Sequence, residues 1–181
     1  MSKLIVYNDH QPEAPLGVYT EPEDIRRELR PAGVRFERVD ASVDLPEGAG
    51  QEEVLAAYKH VVDAEMKAHG YNTVDVARIK PDAPNVEAAR QKFLSEHKHT
   101  EDESRIMVEG SGCFYLHAGD KVFQVECTRG DLISVPEGMK HWFDMGEKPR
   151  FAAIRFFIRP DGWVGHFTGE AIAERFPKYA P

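Results

Sequence analysis

His97 and His99 are separated by one residue, so on a β-strand both imidazoles project from the same face, close enough to share one ion. Glu103 has the same parity, and a short excursion through Thr100-Glu101-Asp102 returns a carboxylate to the same centre. A His-x-His segment followed by Glu is therefore a three-ligand cluster in outline. The same stretch also fits a solvated, charged strand end whose histidines only titrate, and residues further along decide between the two.

Gly110 lies seven residues after Glu103, and Gly130, Pro136, Gly138 and His141 stand as Gly-x5-Pro-x-Gly-x2-His. These spacings resemble the two-part cupin signature, in which the last histidine completes the metal site. The resemblance implies His97, His99, Glu103 and His141 as ligands. Gln91 stands where the first motif usually opens with Gly, and Met145 where the second closes with Asn. Those positions shape turns and bind no metal. Three imidazoles and one carboxylate occupy four positions of an octahedral ion and leave two open, which suits a chelating substrate. A structural zinc site is instead closed and tetrahedral, usually with thiolates, and Cys113 and Cys127 are not spaced to supply them. Nitrogen and oxygen donors with open positions point to Fe(II), Ni(II) or Mn(II).

Longer segments narrow the reading. Phe93-Leu94-Ser95-Glu96-His97-Lys98-His99, Glu101-Asp102-Glu103-Ser104-Arg105, Val108 to His117, Gly130 to Pro136, and His141-Trp142-Phe143-Asp144-Met145-Gly146 together resemble the acireductone dioxygenases, and the likeness reaches Gly162-Trp163. Ser104 replaces the Val expected before Arg105, at a position facing away from the ligands. The resemblance implies a dioxygenase of methionine salvage that oxidises 1,2-dihydroxy-3-keto-5-methylthiopentene with O2, using one Fe(II) or Ni(II) per chain. With iron the products would be 4-methylthio-2-oxobutanoate and formate. With nickel they would be 3-methylthiopropanoate, formate and carbon monoxide. It also implies a monomer.

Arg105 shares parity with Glu103, placing its guanidinium where it can stabilise substrate charge, although a structural ion pair fits the sequence equally. Phe93, Phe143 and Trp163 match positions that the family uses around the substrate, where aromatic walls exclude water and contact the methylthio tail; each also fits ordinary packing. Glu96, beside His97, is a candidate catalytic group, as proton acceptor or as partner of a ligand, yet adjacent strand residues face opposite ways. His10, His60, His69 and His166 read as surface residues and His117 as structural. The alternatives are another small cupin enzyme, a thiol dioxygenase or sugar isomerase, and a non-catalytic metal- or ligand-binding cupin.

The elements that must position these residues are legible in outline. From His97 onward, short apolar or alternating runs at 103–109, 112–117, 121–127, 131–135, 141–145 and 151–158 are separated by Gly, Asp and Pro, the pattern of an antiparallel sandwich or small barrel. Before them, Lys3 to Tyr7 and Val34 to Val39 read as strands. Helices are expected over Pro22 to Arg30, Gln51 to His69 and Val86 to Ser95. The expected fold is mainly β, a cupin-type antiparallel β-barrel (jelly roll) with several N-terminal helices. We expect one domain over 1–181, with a helical part at 1–95 packing on a metal-binding barrel core at 96–160.

At 181 residues the chain can bury a substantial core without disulfides, so the two cysteines read as reduced core thiols. A formal charge of −8 repels nucleic acid and anionic membrane and makes a small molecule the expected partner. The N-terminal stretch lacks the apolar run of a signal peptide, and no segment reaches bilayer-spanning length, so the expected location is the cytoplasm.

Overall fold

The computed structural model describes residues 1–181, and the architecture is mainly antiparallel β with a few helices. The strands are β1 (Lys3–Asn8), β2 (Pro15–Tyr19), β3 (Arg35–Arg38), β4 (Thr73–Ile79), β5 (His97–Lys98), β6 (Glu103–Ala118), β7 (Lys121–Thr128), β8 (Asp131–Val135), β9 (Lys140–Asp144), β10 (Phe151–Phe157) and β11 (His166–Phe167). The helices are α1 (Pro22–Leu29), α2 (Gln51–Ala57), α3 (Lys59–His69), α4 (Val86–Phe93) and α5 (Ile172–Arg175).

Strand β6 belongs to two layers. Its first half pairs with β8 and β10 in the order β3-β8-β6-β10-β4, and its second half pairs with β7 and β9 in the order β11-β5-β9-β6-β7-β1-β2. The outer strands of the two layers are not hydrogen-bonded to one another. The cupin fold expected from the sequence is thus built as two facing layers joined through one long strand, open at the edges.

A strand with side-chain period two must keep its register to keep one face inward. Along β6, Met107 joins the core between the layers, but so do Phe114 and Leu116, which have the opposite parity. A bulge resolves this. Ala152 of β10 faces Glu109 and Ala153 faces Met107, so Val108 is one extra residue that shifts the alternation. Beyond it Gly110 has φ +64°, and a Cβ there would lie 1.7 Å from the Arg150 carbonyl oxygen, so only glycine fits.

The apolar residues form three clusters. One lies between the layers and includes Ile25 and Leu29 of α1. In the second, Val54, Tyr58 and Val62 pack on the outward residues Ile106, Val108, Leu132 and Ile154. In the third, Ile172, Phe176 and Tyr179 cover Tyr115 and Trp142, whose rings stack with centroids 5.1 Å apart. Each such large apolar side chain contributes roughly 1.5–3 kcal/mol when fully buried.

Several elements differ from expectation. The helix expected over Gln51 to His69 is broken at Tyr58, whose φ of −108° and ψ of 20° separate α2 from α3. The Tyr58 ring is buried and its hydroxyl donates to the carbonyls of Ala41 and Val43, so the chain turns about an anchored side chain. The runs at 103–109 and 112–117 are one strand, and β2, β4 and β11 were not expected. Cys113 and Cys127 are free, buried thiols, as expected. No helix is long and apolar enough to cross a membrane.

Candidate metal centre

β5 and β9 are antiparallel neighbours that set His97 directly opposite His141. His99 follows one residue beyond β5, and its backbone carbonyl accepts the Gly138 N–H, which ties it to the turn before β9. The three imidazoles converge, with centroids 4.5 Å apart for His97 and His141, 5.0 Å for His99 and His141, and 5.2 Å for His97 and His99. One ring nitrogen from each lies within 4.8 Å of the others. Glu103, the first residue of β6, adds a carboxylate whose Oε2 is 2.8 Å from Nε2 of His99 and 2.9 Å from Nε2 of His141. All four side chains are buried.

The other ring nitrogens decide what this cluster does. Nδ1 of His97 lies 2.8 Å from the Ser95 carbonyl, that of His99 2.9 Å from the Val164 carbonyl, and that of His141 2.9 Å from the Met139 carbonyl. A carbonyl oxygen only accepts, so each Nδ1 carries a proton, and Nε2 is left as the atom that offers a lone pair whenever the ring is neutral. In the neutral, metal-ligating form of the rings, such a nitrogen facing a carboxylate at hydrogen-bond distance opposes acceptor to acceptor. His99 Nε2 in fact has no hydrogen-bond partner despite being buried. A cation among them satisfies every lone pair, and backbone carbonyls that fix the tautomer are the usual support of metal-binding histidines. The residues therefore fit a divalent cation with nitrogen and oxygen preference.

The electrostatics differ from one ring to the next. Burial, with the neighbouring His141, pushes His97 down to about 4, so its lone pair stays free of protons. Burial also acts to lower His99, but the adjacent Glu103 outweighs it and the net shift is upward. For Glu103 burial acts to raise the carboxyl pKa, and the Arg105 charge, with the contacts to His141 and His99, overcomes it, holding the group ionised well below the usual range. Arg105 is buried and pairs through Nε with Oε1 of Glu103, the oxygen turned away from the histidines. Its guanidinium lies 5.7 Å from the Phe114 ring centroid and 5.8 Å from that of Phe143.

Above the histidines a cleft of about 170 Å³ opens, with His97 and His99 on its floor and Phe93, Trp163, Phe167 and Lys92 around it. Trp163 is held there by the preceding turn, whose Ile158 and Arg159 N–H groups donate to the buried Glu101 carboxylate. Of the aromatic residues singled out from the sequence, Phe93 and Trp163 line the cleft. Phe143 does not: it packs in the core on Phe114 and Phe151, beneath Arg105. Glu96 faces away from the cluster, as its parity requires. Its buried carboxylate accepts from His117 Nδ1 at 2.7 Å and from the Thr168 hydroxyl at 2.9 Å, and His117 Nε2 reaches Asp9 at 3.2 Å. Lys92 and Phe167 were not anticipated, since Lys92 reads as a surface helix residue and β11 is too short to leave a periodic signal.

Imidazoles and a carboxylate facing inward at one end of a two-layered antiparallel sheet define a metal-binding protein of the cupin class. A family model described as the ARD/ARD′ family matches residues 3–165. The chain is 54% identical over 181 residues to an acireductone dioxygenase of Stenotrophomonas maltophilia (strain K279a), covering 100% of this chain and 98% of that one. It is 51% identical to an acireductone dioxygenase of Xylella fastidiosa (strain 9a5c), covering 100% and 96%. Among solved structures it matches the acireductone dioxygenase from Bacillus anthracis with a cadmium ion in its active centre, at a TM-score of 0.80 and 29% identity over 92% of this chain and 98% of that one. The chain belongs to the ARD/ARD′ family, the acireductone dioxygenases, and is an enzyme of that kind.

Proposed function

We propose that this enzyme oxidises 1,2-dihydroxy-3-keto-5-methylthiopentene with O2 in methionine salvage, with one Fe(II) or Ni(II) held by His97, His99, Glu103 and His141. The observation that carries the reading is the convergence of three imidazole Nε2 atoms, each ring fixed by a Nδ1–H donated to a carbonyl, beside the ionised Glu103. The expected products are 4-methylthio-2-oxobutanoate and formate with Fe(II), and 3-methylthiopropanoate, formate and carbon monoxide with Ni(II). When bound, the ion supplies a Lewis-acid centre with open positions for a chelating ene-diol.

The chain's own residues do the rest. Arg105 keeps Glu103 ionised and adds a fixed positive charge beside the ligands; burial opposes that charge and the Glu103 carboxylate sustains it. Phe143 and Phe114 brace that guanidinium from the core. Phe93 and Trp163 give the cleft an apolar wall that receives the methylthio tail and excludes water. Glu96 acts on positioning: with His117 and Thr168 it joins β5 to the segment that carries Phe167. We read the chain as one domain working as a cytoplasmic monomer, and its charge of −8 favours a small-molecule substrate over nucleic acid or an anionic membrane.

The test is oxygen uptake after anaerobically prepared acireductone is added to protein loaded separately with Fe(II) and Ni(II), with products identified. Uptake above the spontaneous rate, with keto acid from one form and carbon monoxide from the other, supports the reading. No enhancement with either metal would leave a cupin acting on a different substrate, such as a thiol or a sugar, or a binding protein.

A further inference from the structure

We propose that Lys92 is a specificity-determining residue of the cleft, whose ammonium receives the negative charge of an anionic ene-diolate at the rim; this rests on the substrate reading above. Lys92 Nζ lies 5.7 Å from the ring centroid of Phe93 and 5.6 Å from that of Trp163. The negative faces of two rings hold the ammonium at the entrance by cation–π attraction. These are the rings that form the apolar wall.

The ammonium has no partner of its own. It takes part in none of the chain's ion pairs, and no carboxylate lines the cleft. Arg105, the other cation of the site, is buried and committed to Glu103. Lys92 is thus the cation that an incoming anion meets first. The chain as a whole carries −8, a field that opposes an anionic substrate, so a positive rim on an otherwise apolar cleft reverses the sign where entry occurs.

The chemistry of the substrate matches. An ene-diol conjugated to a ketone is acidic because the charge left by the proton spreads over several oxygens. Its other end is an apolar thioether. A rim ammonium beside the aromatic wall draws the anionic end inward towards the metal while the wall receives the thioether, and it discriminates against a neutral ligand of the same shape.

The experiment compares wild-type, Lys92→Met, Lys92→Arg and Lys67→Met proteins, each with measured metal content, in acireductone oxidation over a range of ionic strength. Lys67 is exposed on α3 and controls for net charge. Lys92→Met is expected to keep its metal, to lower kcat/KM by about 5–10-fold chiefly through KM, and to flatten the salt dependence. Lys92→Arg is expected to retain the wild-type salt dependence. A Lys92→Met protein with wild-type KM and salt dependence overturns the proposal, as does one that loses only kcat, since that marks a clasp for Trp163 without a role for charge. If metal-loaded wild-type protein itself does not accelerate oxidation, the substrate reading fails, and this proposal fails with it.

Discussion

Arg105 pairs with Glu103 through Oε1 while Oε2 of the same carboxylate faces His99 and His141, so one side chain joins the buried guanidinium to the imidazole cluster. Glu103→Gln leaves that guanidinium buried without its ion-pair partner. We expect a loss of about 3–5 kcal/mol of folding stability, read by denaturant unfolding of the metal-free protein. Wild-type stability in this variant would mean that the pair is not buried as described.

Arg105→Met separates the metal from the chemistry. The proposed ligand set is untouched, so metal content per chain is expected to stay at the wild-type level while turnover falls by about 100-fold, the effect of losing one fixed charge at a reacting centre. Metal analysis beside oxygen uptake reads both. Parallel loss of metal and turnover would give Arg105 only the task of holding Glu103.

His97→Ala and His141→Ala each remove one converging nitrogen. Metal affinity is expected to fall by more than about 100-fold, beyond the effect of losing a supporting partner, and activity to vanish with it. Chelation of the wild-type metal should abolish turnover and re-addition should restore it. Full activity in metal-free protein is incompatible with the centre.

The Arg90–Asp144 pair links α4 to the end of β9 and to the C-terminal tail. Nε and Nη2 of Arg90 donate to Asp144 at 2.8 and 3.1 Å, and the N–H groups of Gly146 and Tyr179 donate to the same carboxylate. Burial acts to raise the carboxyl pKa, but Arg90 and the two amides bring the net shift down. A carboxyl lowered on folding contributes stability that is present above its unfolded value, about 3.9, and lost as pH falls through the folded one. Thermal melts of wild-type and Asp144→Asn proteins should therefore differ at neutral pH, by about 3–5 kcal/mol in stability, and converge in strong acid. A difference that does not change with pH would contradict the assignment.

Gly110→Ala and Gly119→Ala both place a side chain at positive φ, 64° and 61° respectively, but only at Gly110 does the new Cβ meet backbone. Gly119→Ala is expected to cost about 1–2 kcal/mol, the ordinary penalty of the left-handed region. Gly110→Ala should cost clearly more or prevent folding, because β6 can no longer pass between the layers beside Arg150. Equal unfolding midpoints for the two variants would refute this.

Much of the molecule is written locally. The parity of His97 and His99, the Gly and Pro positions that space the turns before His141, and the short apolar runs of β1, β7 and β8 depend on neighbours within a few residues, and the sequence alone determines them. What the tertiary structure decided are relationships between residues far apart. Tyr58 breaks a regular helical pattern with no Gly or Pro near it, because its hydroxyl is anchored to the 41–43 segment. Val108 bulges because β6 must serve two layers with one strand, which no short window of sequence reveals. Phe143 has the composition of a cleft wall but is drawn into the core, whereas Lys92 looks like solvated helix surface and is drawn to the cleft by two rings. Periodicity and residue chemistry are properties of the chain, but which groups meet is set by how layers and helices pack, since only packing brings Arg90 to Asp144 or Glu103 to His141.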